Sequence, residues 1–150
     1  MPTRKVLFLI ALALLFLVVF LLTTGSPLLL TELSEGSGFP VGTLITWLGI
    51  TALPLLILTS FSGLFRPKTK QQKAWHLLLL GFLLLAISWG GIAYLLAGNW
   101  AYSFSGSSPS FRGSSEASRY FWIFTYATVA LPLLFLIVFG ALQLVRRWKS

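Results

Sequence analysis

The chain contains no cysteine, one histidine and only three acidic residues in a length of 150. Without cysteine there are no disulfides, thiolate nucleophiles, iron–sulfur clusters or Cys-ligated zinc. Quinone-linked thiol oxidation, which small four-helix membrane enzymes perform with cysteine pairs, is excluded with them, and the redox compartment is not readable. The acids are Glu32, Glu35 and Glu116, and none falls inside a long apolar run. Ion-coupled transport keeps ionisable groups within its spans despite their cost. Their absence argues against a proton-coupled exporter.

What the chain has in quantity is apolar surface. Hydrophobic residues make up 57% and charged residues 9%, with a mean hydropathy of +0.89, outside the range of soluble domains. Val6 to Leu22 is unbroken by any polar side chain. Three further runs exceed the roughly 20 residues needed to cross a bilayer as a helix. The expected fold is a single all-α integral membrane domain over 1–150, a bundle of four transmembrane helices near 6–24, 39–64, 75–97 and 120–145. The first run is longer than a signal-peptide core and no A-x-A-like site follows it, so it is expected to be retained.

The net charge of +8 is sorted along the chain. Arg4 and Lys5 lie in the N-terminal tail, Arg66, Lys68, Lys70 and Lys73 in the middle connection, and Arg146, Arg147 and Lys149 in the C-terminal tail. The first and third connections hold all three acids with only Arg112 and Arg119. The positive-inside rule then predicts both termini on the cytoplasmic side of a bacterial cytoplasmic membrane or an equivalent energy-transducing membrane. The middle-loop and C-terminal cations are expected to meet anionic lipid, at about 1 kcal/mol each. No nucleic-acid motif accompanies them.

The second helix is expected inside the bundle, because Gly42, Thr46 and Gly49 follow the spacing that lets helices approach closely; Ala86 and Gly90 offer the same in the third. The Leu28–Leu30 triplet is too short to span and reads as an interfacial contact or an extension of the first helix past Pro27. Trp89, Tyr94, Tyr120, Phe121 and Trp122 are expected as interfacial rings at the outer surface. In the Ser/Gly-rich third connection, Trp100, Tyr102 and Phe104 alternate, as rings sharing one face of an extended segment do, and are expected to touch headgroups or a partner.

TALPLLIL at 51–58 and VALPLLFL at 129–136 place Pro54 and Pro132 inside the second and fourth helices. Pro54 is 12 residues before Arg66 and Pro132 is 14 before Arg146, about 18 and 21 Å at helical rise. Both fall near mid-membrane, as helix kinks or as parts of a hinge or cavity wall. The freed carbonyls of Ile50 and Thr128 need a donor, for which Thr51 and Thr128 are near in sequence. The likeness fits either a tandem repeat of two helical hairpins or coincidence in leucine-rich sequence.

On the predicted topology His76 sits at the inner boundary, about 30 Å from the three glutamates. No catalytic residue, metal site or His-based acid–base pair is therefore expected, and the chain is not expected to be an enzyme. The function expected by elimination is that of an accessory or assembly subunit of a larger membrane complex, with lipids and other membrane subunits as partners and no predicted cofactor. A passive channel or small-molecule carrier built on the Thr-rich, Pro-containing helices is the second reading. A haem- or chlorophyll-binding subunit using His76 as ligand is the third.

Overall fold

The computed structural model describes residues 2–101, 104 and 111–148. Tyr102 and Lys149 lie outside them, as does the side chain of Arg147. The elements are α1 (Pro2–Thr24), a single 3₁₀ turn (Pro27–Leu30), α2 (Val41–Ser60), the short α3 (Ser62–Phe65), α4 (Lys70–Ala97) and α5 (Ser115–Trp148). Four of these, α1, α2, α4 and α5, are long and apolar enough to cross a membrane.

Local chemistry sets the helix limits and places several away from the sequence expectation. The expected second helix over 39–64 is two helices, because Phe61 is extended at φ −111° and ψ 125°. Just before it, the hydroxyls of Thr59 and Ser60 donate to carbonyls one turn back, at 2.8 Å to Leu55 and 2.7 Å to Leu56. Such back-bonding bends helices, and Gly63 follows. At its other end α4 begins at Lys70, ahead of the expected Trp75, because Thr69 and Gln72 form a reciprocal capping box. It ends on Gly98, whose φ of 73° is the left-handed conformation that glycine adopts without strain. For α5 the start is Ser115, with the Ser114 hydroxyl accepting from the Ala117 amide at 3.1 Å. The connection before α2 folds back on itself: the Leu33 amide donates to Phe39 and the Val41 amide to Thr31, both at 2.8 Å.

Buried clusters fix the direction of each helix. One joins Ile50 of α2, Ala86 to Ala97 of α4 and Phe121 of α5; another joins Leu58, Leu79 and Phe139. So α2 and α5 run parallel, with α4 antiparallel to both. The Val18–Ile45 contact near the end of α1 and the start of α2 sets α1 antiparallel to α2. The bundle therefore has a basic end, at the starts of α1 and α4 and the ends of α2 and α5, and an acidic end carrying all three glutamates.

The hub is α2, which packs on α1, α3, α4 and α5. Half of its apolar window is buried within the chain, against 11% for α1, in keeping with the inner place expected of α2. A corresponding symmetry between two hairpins is not seen in the packing: α4 packs on both α2 and α5, whereas α1 packs on α2.

Candidate functional site

The small residues singled out in the sequence bring this chain's own helices together. A Cβ on Gly49 would lie 2.6 Å from Val18 of α1, and one on Gly90 2.6 Å from the Trp47 ring. The Trp47 Nε1 donates to the carbonyls of Ala86 and Ile87 at 3.2 and 3.0 Å, so the ring is held in the space that glycine leaves. Gly42 faces Phe104 and the Leu29 carbonyl. The buried Thr46 hydroxyl has no hydrogen-bond partner among the described residues.

The acidic end turns its aromatic residues inward more than the sequence suggests. The Thr43 hydroxyl, fully buried, donates to the Trp100 carbonyl at 2.6 Å. The Trp100 ring meets Phe39 edge-on at 5.0 Å and stacks on Tyr94 at 4.5 Å. Trp100 and Phe104 are thus half-buried on the chain itself. Trp89, expected at an interface, is 1% exposed, and its Nε1 donates to the Thr125 hydroxyl of α5 at 3.0 Å. Phe121 is buried too, leaving Tyr120 and Trp122 exposed. Of the Leu triplet, Leu29 packs on Val18 and Ile45 while Leu28 and Leu30 stay exposed.

Both prolines lie within continuous helices and are almost completely buried. One apolar cluster takes in Leu53 and Ile57 around Pro54 together with Phe135 and Phe139 beyond Pro132. The threonines near them do not serve the freed carbonyls. The Thr51 hydroxyl points to Ala86 at 3.5 Å and the Thr128 hydroxyl to Thr125 at 2.8 Å.

The long helices leave much apolar surface open, on α1 and α5 as well as α4, and two surfaces have a distinct build. The first is the face of α4 turned away from α2, on which Ala74, Leu77, Gly81, Leu84, Ser88, Gly91 and Leu95 are all exposed. Their spacing alternates three and four, the period of a knobs-into-holes seam. A Cβ at Gly81 or Gly91 would meet nothing within 4 Å, whereas Leu77, Leu84 and Leu95 are 66%, 67% and 80% exposed. The sequence reading missed this seam; its signal was small residues seven apart at 74, 81 and 88.

The second surface is a cleft of about 1040 Å³ at the basic end. Its rim carries Arg4, Lys5, Arg66 and Lys68, and Phe61 and Phe139 line its wall. These two rings meet edge-on at 5.0 Å. The cleft opens there because α1 and α5 flank α2 without packing broadly on each other. A smaller adjoining cavity of about 300 Å³ shares Arg4, Lys5 and Ser60 and adds Phe8 and Leu9. No carboxylate lines either space among the described residues.

The loop bearing Arg66 and Lys68 is pinned. Gln72 Oε1 accepts from the Lys68 amide at 2.8 Å, and His76 Nδ1 lies 2.6 Å from the Leu64 carbonyl. Since a carbonyl only accepts, Nδ1 carries the proton, and the bond ties α3 to α4. Lys70 and Lys73 are exposed outside the cleft lining, while Arg146 donates to Gln71 Oε1 at 2.8 Å. No group of three or more His or carboxylate residues comes together among the described residues. Comparison with protein-family models, curated proteins and solved structures returns no match.

Proposed function

We propose that the chain is a multi-pass membrane protein with both termini and the basic end on the cytoplasmic side. On this reading it acts without catalysis, as an accessory or assembly subunit of a larger membrane complex. The observation that carries the assembly role is the open seam on α4. From Ala74 to Leu95 it extends about 32 Å at helical rise, close to the roughly 30 Å apolar thickness of a bilayer. In lipid, helices associate through close backbone approach, and small residues at a regular spacing permit it. The leucines between the small positions supply the knobs. The occupant that fits is a membrane-spanning helix of another subunit, laid along α4 opposite the face that α2 already fills.

The channel and pigment readings have less behind them. Both prolines are enclosed by side chains, and His76 has a structural partner in the Leu64 carbonyl.

The lack of native cysteine gives a direct test. Ser88→Cys introduces the sole thiol, to which a benzophenone maleimide can be attached in membranes of the native host. Photolysis is expected to yield one adduct with a different polypeptide. An adduct of twice the chain's mass would assign the seam to a second copy instead, and labelling of lipid alone would remove the assembly role.

A further inference from the structure

We propose that the basic-end cleft binds the phosphate of an anionic phospholipid headgroup, with the upper acyl chains lying along its apolar wall. The proposal rests on the membrane placement given above and is independent of the α4 seam.

Charge is the first argument. Four cationic side chains line one space, and no carboxylate lines it among the described residues. All three acidic residues of the chain lie at the opposite end of the bundle, beyond the length of α2, about 30 Å at helical rise. No carboxylate side chain therefore compensates these cations, and Arg4 is half-buried. An arginine so placed favours a ligand that offers paired oxygens, as phosphate does.

Shape is the second argument. The rim is cationic while the wall is aromatic, and Phe8 and Leu9 continue the apolar lining into the adjoining cavity. A volume of about 1040 Å³ is at the top of the range of about 300–1,000 Å³ for small-ligand pockets. A bare phosphate would leave most of it unfilled; an amphiphile with a phosphate head matches both surfaces.

Rigidity is the third. Arg66 and Lys68 sit on a connection fixed by the Gln72 and His76 bonds. Their backbone then needs little ordering when the ligand binds, leaving only the exposed side chains to be fixed. This separates the cleft from a diffuse basic surface, to which Lys70 and Lys73 belong.

The test compares retained lipid on the full chain, purified in mild detergent after an alkaline wash of its membranes. Native mass spectrometry with equal amounts of phosphatidylglycerol and phosphatidylcholine is expected to show one retained phosphatidylglycerol, preferred about tenfold. Arg66→Gln with Lys68→Gln should abolish the preference, whereas Lys70→Gln with Lys73→Gln removes the same charge and should leave it intact. Equal loss in both variants would overturn the proposal in favour of general surface attraction. Displacement of the lipid by millimolar inorganic phosphate or glycerophosphate would overturn it in favour of a free-anion site. Failure to remain in the washed membrane pellet would refute the placement itself; a retained protein without lipid preference would refute only the cleft assignment.

Discussion

Adjacent glycines separate the two faces of α4. At Gly90 an added side chain would collide with the Trp47 ring, which its indole hydrogen bonds hold in place; at Gly91 it would project into open space. Gly90→Leu is expected to cost about 1–3 kcal/mol, as overpacking does, while Gly91→Leu leaves unfolding unchanged; tryptophan fluorescence during denaturation in detergent measures both. Thr46 is a separate case, since its hydroxyl is buried without a partner among the described residues. Thr46→Val is expected to hold or raise stability by up to about 1 kcal/mol, and a fall of that size in the same assay would show that the hydroxyl is satisfied. Spacing made Gly49, Ala86 and Gly90 legible as close-approach residues, because intervals of three and four mark one helix face. It did not reveal Trp89 as a core residue. Its acceptor, Thr125, is 36 residues away, and a tryptophan near a helix end looks the same in sequence whether it faces outward or inward.

Among the elements, the α2–α4 connection departs most from the sequence expectation. The existence of four long helices could be read from apolar length alone, but their ends depend on hydrogen bonds between side chains and backbone. The break at Phe61 follows from two hydroxyls returning to α2 and from a glycine that admits the Gln72 side chain, 2.8 Å from where its Cβ would be. The start of α4 was encoded locally, as Thr69 with Gln72 three residues on is a recognised capping signature. Thr69→Ala removes the cap acceptor and is expected to cost about 1 kcal/mol. Hydrogen exchange should quicken at the Gln72 and Lys73 amides while remaining unchanged at the far end of α4; uniform quickening would instead indicate global loosening. The cleft escaped the sequence reading for a related reason. Arg4 and Arg66 are distant in sequence, and only the antiparallel pairing of α1 with α2 puts both on one rim.

At the scale of the whole molecule, the helix with the most neighbours is also the one with the largest share of its surface inside the chain. The mean hydropathy of its best window is 2.0, against 3.3 for α1. The two LPLL segments suggested a repeat of hairpins, yet α1 and α4 occupy unlike positions around α2. Identical local sequence can sit in different surroundings, so the likeness alone did not predict the packing. On the proposed topology this asymmetry carries over to biosynthesis. The nascent chain releases α1 first, a span apolar enough to enter lipid unaided, and then α2, whose surface for α4 and α5 has no cover until the second half is made. A fragment ending at Arg66 is expected to be degraded several-fold faster than the full chain in a pulse-chase experiment, and supplying residues 67–150 as a separate polypeptide should restore its lifetime. Equal lifetimes would mean that α1 alone suffices to shelter α2. The central helix thus makes translation order a quality check: a ribosome that stops early leaves a product marked for removal by its own unsheltered glycines and threonines.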